Sequence, residues 1–341
     1  MTVKTRWAIL GTGAICRDFT AALAVSEFGV LHAIGSSNPS RAARFAETHG
    51  AAHSGTYADI LARDDVDAVY VGTVHTTHVE LTLAALRAGK AVLCEKPMAL
   101  SAAETQTVID AARKAGLPFV EAYKFRFGPF FKTLTALLAE GEIGDVRALD
   151  ASFGFRAGSR TGRLFDPALA GGALYDVGGY PLAFATGIAS AVGIALDAAR
   201  VDSAGARMTH GVDGTIHARL RTGDFTATVH ASIIAPRTRT VRIRGSKGTI
   251  VLPNGWGSRA ASASVIELRR YGRLQHTIET PTVNPMAAEA DSLSRALAEG
   301  RCEAAEMPWA DSLVTNTLLE RWGNHALGRR EGRWTQQQSP A

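Results

Sequence analysis

Gly11-Thr-Gly13-Ala14-Ile15-Cys16 follows the apolar run Trp7–Leu10 without a break. Two glycines at this spacing, between a strand and a helix, are suited to holding a dinucleotide pyrophosphate. Gly11 permits the tight turn and Gly13 lets the backbone come close. The amides of Ala14 and Ile15 then open a helix whose N-terminus attracts the anion. Cys16 takes the third small position in place of glycine. An NAD site asks for Asp or Glu after the second strand, to accept from the ribose 2′-hydroxyl. This chain has Gly35-Ser36-Ser37-Asn38 there, with Arg41 one helical turn further on. Two hydroxyls and a guanidinium suit a 2′-phosphate. The expected cofactor is therefore NADP(H), with NAD(H) left open. Asn38 also reads as a helix cap.

Glu95-Lys96-Pro97 directly follows the fourth apolar run, where ligands bind beyond the carboxyl ends of strands. Much later come Asp176 and Tyr180, four apart and so able to share one helical face. Interconverting a carbonyl and an alcohol needs a hydride carrier and a group that exchanges the hydroxyl proton. A tyrosine hydroxyl is a reluctant proton donor at neutral pH, with an ordinary pKa of about 10. A cation about 4 Å away contributes about 4 kcal/mol toward the ionised form at an effective dielectric of 20. Lys96 is read as that cation and Asp176 as the group that orients it or the substrate. Thr73, His75 and His78 follow the third strand and are read as cofactor contacts near the nicotinamide, with Glu95 and Lys96 beside them. His75 and His78 have no third ligand at metal-binding spacing, so no metal is expected. Arg156, Arg160 and Arg163 are loop cations; Arg156 is taken as a substrate contact.

These groups need elements to place them. Trp7–Leu10, Val30–Ile34, Asp67–Gly72, Ala91–Cys94 and Pro118–Ala122 read as strands. They alternate with helices opening at Asn38-Pro39 and at Ser101-Ala-Ala-Glu104, which predicts a parallel sheet covered on both faces. The second half differs. Pro129–Glu140 reads as a helix, Asp145–Phe155 as a strand, and residues 199–278 as successive hairpins around turns such as Thr222-Gly-Asp224 and Gly245-Ser-Lys-Gly248. Helices follow near 286–299 and 308–322. The fold class is α/β. A parallel-sheet nucleotide domain is expected over residues 1–122. An α/β substrate domain with a large open, mainly antiparallel sheet is expected over 123–341, its last helices packing back on the first. An open sheet of that size needs cover, so a homodimer or higher homo-oligomer is expected.

The 341 residues are 46% hydrophobic and 20% charged, a globular composition. Lys and Arg number 37 against 32 acids, a net charge of +5 without a basic block, so no nucleic-acid partner is expected. Arg237, Arg239, Arg242 and Arg244 read as a solvated strand edge. Three widely spaced cysteines, Cys16, Cys94 and Cys302, suit a reducing cytoplasm. No targeting signal is read at the N-terminus. Val177–Leu196 lacks charge over 20 residues, but its glycines and Pro181 argue for a buried helix, and no membrane is expected.

Gly11-Thr-Gly13, Glu95-Lys96-Pro97, Glu121-Ala122 with Arg126-Phe127, Gly171–Tyr180 and Gly245-Ser-Lys-Gly-Thr-Ile250 run across nearly the whole length. In this order they make the chain resemble the glucose–fructose oxidoreductase/inositol dehydrogenase (Gfo/Idh/MocA) family. It is most similar to the branch of dimeric dihydrodiol dehydrogenases and NADP-dependent xylose dehydrogenases. The resemblance implies a Rossmann domain and an open-sheet substrate and oligomer domain. It also implies hydride transfer between a nicotinamide and a sugar, polyol or diol, with Tyr180 as acid/base, Lys96 as its partner and Arg126 near the substrate. Ser37 stands where Arg commonly meets the 2′-phosphate, and Lys124 where the branch tends to have Trp. The family fold also serves as a cofactor-binding sensor or repressor and as an NAD-assisted glycoside hydrolase, and these remain alternatives.

Overall fold

The structure is a computed structural model that describes residues 4–256 and 263–328. The chain divides into two units. One comprises Met1–Ala99, Ala103–Gly128 and Val283–Ser312; the other comprises Leu100–Ala102, Pro129–Thr282 and Leu313–Ala341.

Among the described residues the first unit holds a six-stranded, all-parallel sheet. Its strands are β1 (Thr5–Leu10), β2 (Gly29–Gly35), β3 (His53–Gly55), β4 (Ala68–Val71), β5 (Ala91–Glu95) and β6 (Phe119–Ala122), in the order β3-β2-β1-β4-β5-β6. The central strands are apolar and fully enclosed over Trp7–Leu10 and Ala68–Val71, because helices cover both faces. Helices α1 (Ala14–Leu23), α2 (Pro39–His49), α3 (Tyr57–Leu61), α4 (His78–Arg87) and α5 (Ala102–Ala115) alternate with them. Asn38 caps α2 by accepting from the Arg41 amide, with Pro39 at the first helical position. Strand order reverses between β1 and β4, which opens a crevice at their carboxyl ends. The short β3 and α3 lie where the sequence shows no strong apolar run.

The first unit does not end at residue 122. It continues to Gly128 and takes back residues 283–312. That return carries α8 (Pro285–Ala298), whose apolar stripe of Met286, Ala290 and Leu293 packs against α1 and β5. Edge strand β6 is covered as well. The Phe119 amide donates to the Cys302 carbonyl, and Trp309 Nε1 donates to the Phe119 carbonyl.

Among the described residues the second unit holds an eight-stranded sheet. Its strands are β7 (Val146–Gly154), β8 (Arg200–Thr209), β9 (Val212–Thr222), β10 (Phe225–Ser232), β11 (Val241–Gly245), β12 (Thr249–Leu252), β13 (Ser264–Arg270) and β14 (Arg273–Thr280). The order is β14-β13-β12-β11-β7-β10-β9-β8, antiparallel throughout except for the parallel pair β7–β10. Helices α6 (Pro129–Ala139) and α7 (Gly179–Ala191) pack against the sheet, and most of α9 (Trp309–Leu327) also belongs to this unit. Burial alternates along β9 and β11. Ile216, Ala218, Leu220, Val241 and Ile243 face the core, while His217, Arg219, Arg242 and Arg244 face outward. Arg242 and Arg244 therefore do not form a strand edge. β11 is interior to the sheet, and these arginines line its uncovered face, with Arg244 paired to Asp150 at 2.8 Å. Among the described residues no helix is long and apolar enough to cross a membrane. The uncharged stretch Val177–Leu196 instead supplies α7, which is buried nearly all round.

Candidate active site

In the first unit the glycine loop closes the crevice at β1. Gly11 has φ +119°, and a Cβ there would sit 2.8 Å from the Gly72 carbonyl oxygen. A side chain is thus excluded by both conformation and space. Gly13 is different. Its backbone is extended, and a Cβ there would meet no protein atom within 4 Å, so the glycine leaves open space rather than relieving a protein contact. It stands at the N-terminus of α1, which has no side-chain cap and no acid in its first turn. Amides left unpaired at such a terminus suit a pyrophosphate, and this opening fits one. Cys16 explains its own position: its thiol donates to the Gly72 carbonyl at 3.3 Å, and burial pushes the thiol pKa up to about 12. It is packing, not a nucleophile.

The end of β2 gathers the residues read as the 2′-phosphate site. Ser37 and Arg41 are exposed together, with Arg41 Nη2 3.5 Å from Ser37 Oγ. Ser36 is buried; its Oγ accepts from the Asn38 amide and its own amide donates to Gly55. Ser36 therefore shapes the loop that presents the other two.

After β4, Thr73 and Thr77 join hydroxyls at 2.7 Å. His78 is fully buried; its Nδ1 donates to the Pro97 carbonyl at 2.8 Å, and its Nε2 lies 3.3 Å from the Thr73 carbonyl. Burial lowers its pKa and keeps the ring neutral. His78 thus ties the loop after β4 to the loop after β5, which is a positioning role. The His75 ring lies 5.8 Å from it, edge to face. Glu95 ends β5, where its Oε1 accepts from the Tyr70 hydroxyl at 2.8 Å, and Lys96 follows it through a cis peptide to Pro97. Tyr70 stacks on Phe19, and burial pushes its hydroxyl pKa well up. Glu121 is fully buried and accepts from the Met98 amide at 3.0 Å. Arg126 is 5% exposed and ion-paired to Asp311 at the start of α9. A guanidinium so enclosed and paired acts through its neighbours rather than as an open receptor.

In the second unit a π-helical turn, Leu174–Gly178, runs into α7. Such turns recur at functional sites because they re-aim side chains. Asp176 lies in the turn, 5% exposed, and accepts from Arg163 Nη1 at 2.9 Å. Tyr180 follows, 6% exposed, its ring held 4.7 Å from Phe153 and 5.9 Å from Trp256. Trp256 is fixed in turn by donating from Nε1 to the Ser152 carbonyl. Asp213 anchors the start of the turn by accepting from the Leu174 amide at 2.7 Å, and a Cβ on Gly172 would strike its carboxylate. Sequence spacing gives no sign of Phe153, Asp213 or Trp256, because each comes from a different strand or loop. Arg156 is exposed beyond β7.

Residues 5–123 match the family described as "Oxidoreductase family, NAD-binding Rossmann fold", and residues 131–251 match the "GFO/IDH/MocA C-terminal domain". The trans-1,2-dihydrobenzene-1,2-diol dehydrogenase of Xenopus tropicalis is 32% identical over 329 residues, 93% of this chain and 97% of that one. This chain belongs to the GFO/IDH/MocA family. The human enzyme of the same name is 35% identical over 254 residues, 73% of this chain and 74% of that one. Among solved structures, a 3-ketoreductase from Actinomadura kijaniata with NADP and TDP-benzene has a TM-score of 0.85 at 28% identity, covering 95% of this chain and 98% of that chain. An aldose-aldose oxidoreductase from Caulobacter crescentus with glycerol has a TM-score of 0.84 at 27% identity, covering 96% and 98%. As a member of the GFO/IDH/MocA family, the chain is an oxidoreductase with a dinucleotide-binding Rossmann unit, as the motifs implied.

Proposed function

We propose that the protein transfers a hydride between NADP(H) and a hydroxyl or carbonyl of a sugar, polyol or diol. The observation that carries this reading is the open space at Gly13, at the uncapped start of α1 and beside the strand-order reversal. The family relatives, named for diol and sugar chemistry, support the substrate class. When bound, the nicotinamide supplies the hydride. Gly11, Gly13, Ala14 and Ile15 hold the pyrophosphate, and Ser37 and Arg41 receive the 2′-phosphate, with NAD(H) as the weaker ligand. Thr73, His75 and Glu95 flank the nicotinamide end.

Tyr180 exchanges the hydroxyl proton with Lys96 as its cationic partner. Asp176, steadied by Arg163, orients the substrate, and Arg156 stands by as a second polar contact. The rigid aromatic support of Tyr180 favours this role, because an acid/base group must hold its oxygen in place. Arg126 contributes by position, through Asp311. The deciding experiment is a screen of aldoses, polyols and diols against NADP⁺ and NAD⁺, read at the nicotinamide absorbance. Turnover with NADP⁺ and a hydroxylated substrate is the expected result. Tight cofactor binding without turnover of any of them would overturn it in favour of a sensor. The outward face of the second unit's sheet, with His217, Arg219 and Arg242, is proposed as the surface of a homodimer. Light scattering at micromolar concentration tests it. A cytoplasmic location is proposed from the three unpaired cysteines.

A further inference from the structure

Where the middle of β2 meets the start of β3, two histidines and an aspartate converge. His32 lies in β2, His53 opens β3, and Asp65 follows α3. His32 Nε2 is 3.1 Å from Asp65 Oδ2, and His53 Nε2 is 3.4 Å from the same oxygen. A tetrahedral ion with bonds of about 2.0 Å separates neighbouring ligand atoms by about 3.3 Å. The two nitrogen–oxygen spacings match that edge length, and all three ligand atoms lie within 4.8 Å of one another. His32 Nε2 is enclosed and, despite its closeness to Asp65, makes no hydrogen bond.

The backbone supports the same reading. Trp7 of β1 pairs with Leu31 and Ala8 pairs with Ala33, so His32 is the extra residue of a bulge. Bulges re-aim side chains and mark built features of a sheet. In β2–β3 pairing His53 is opposite Ala33, so regular alternation would send His32 to the other face; the bulge brings it round.

Arg63 completes the cluster. Its Nε donates to Asp65 Oδ1 at 2.8 Å. Its Nη2 lies 2.7 Å from Oδ2 and 2.8 Å from His53 Nε2. A guanidinium only donates, so His53 Nε2 presents its lone pair, the form a metal requires.

We propose that His32, His53 and Asp65 form a binding site for one divalent first-row metal ion of the zinc class, with Arg63 as the exchangeable cation that holds the site in register when no ion is bound. Two imidazoles and one carboxylate select zinc, nickel or copper over calcium and magnesium, which prefer oxygen donors. On binding, Arg63 gives up Oδ2 and His53 and keeps Oδ1 through Nε. The ion then ties edge strand β3 to β2. The far end of β3 carries the Gly55 carbonyl that accepts from the Ser36 amide, so the tie also steadies the loop bearing Ser37 and Arg41.

The test is calorimetric titration of the full, tag-free, chelator-dialysed chain with Zn²⁺, repeated with Co²⁺ and read by its visible ligand-field absorption. One equivalent is expected to bind, with a tetrahedral Co²⁺ spectrum. His32→Ala and His53→Ala should each abolish stoichiometric binding while melting as the parent does in chelator. Arg63→Gln removes the competitor and should bind about tenfold more tightly. Absence of saturable binding in both parent and Arg63→Gln would overturn the proposal. Binding that survives in the His32→Ala/His53→Ala double variant, or that is lost in Arg63→Gln, would also overturn it.

Discussion

In the first unit the groups proposed to meet a dinucleotide are mostly backbone: the turn at Gly11, the open approach at Gly13 and the uncapped start of α1. In the second unit the proposed chemistry rests on side chains, and each is held by a partner from elsewhere in the sequence. Phe153 and Trp256 hold Tyr180, Arg163 holds Asp176, and Asp213 holds the turn that carries both. A backbone site is sensitive to added atoms, whereas a side-chain site is sensitive to removed ones. Substitutions in the two units should therefore fail differently.

The largest effect is expected from Tyr180→Phe. Losing a general acid–base typically lowers the rate by about 10² to 10⁴. The ring contacts survive, so the melting temperature and NADP⁺ affinity should stay at parent values; near-parent kcat would dismiss the assignment. Lys96→Met should lose turnover to a similar degree. If it alone does so, the lysine carries the proton.

Next comes a pair of small additions. Gly11→Ala forces a side chain into φ +119° beside the Gly72 oxygen, a strain of about 1–3 kcal/mol before the clash is counted. Both stability and cofactor binding should drop. Gly13→Ala meets no protein atom, so its melting temperature should hold while dinucleotide affinity falls. Equal melting curves with equal affinities would mean that the open space receives nothing.

A smaller loss is expected for Arg41→Ala. One exposed charge-assisted contact is worth about 1.5 kcal/mol, or about tenfold in NADP⁺ affinity. NAD⁺ affinity should barely change. Equal losses for the two cofactors would refute the 2′-phosphate reading.

The smallest effect concerns Glu289 of α8, 1% exposed in the first unit. Burial, then Glu95 close by, pushes its carboxyl well above the ordinary value, with Lys124 opposing. The folded chain therefore keeps a proton that the unfolded chain releases near pH 4. This contribution to stability is full below that pH and is lost as pH rises through the raised folded value. Glu289→Gln should flatten the fall in melting temperature between pH 5 and 8. An unchanged slope would show the carboxyl to be ionised in the fold.

Legibility followed the same divide. The glycine loop, the strand alternation and the Asn38 cap are local patterns, and the sheet, the turn and the cap appear where the residues suggest. What sequence spacing hid is long-range. His78 buttresses two loops through carbonyls, which residue type alone cannot announce. Arg126 looks like a receptor until Asp311 is found beside it. Arg242 and Arg244 look like an edge until β11 proves interior. The bulge at His32 leaves no mark in the apolar pattern, because the extra residue is itself half-buried.

The return of α8 to the first unit sets an order of events during synthesis. The Rossmann sheet has all its strands once residue 122 has emerged, but the helix over α1 and β5 and the cover of β6 lie beyond residue 283. About 155 residues separate Gly128 from Val283, which at about 5–20 residues per second is a wait of roughly 8 to 30 s. During that interval the β6 edge and the apolar bed of α8 stay bare on the ribosome. A nascent chain of this kind is a natural client for chaperones, and a fragment ending at Gly128 should be recovered largely as aggregate.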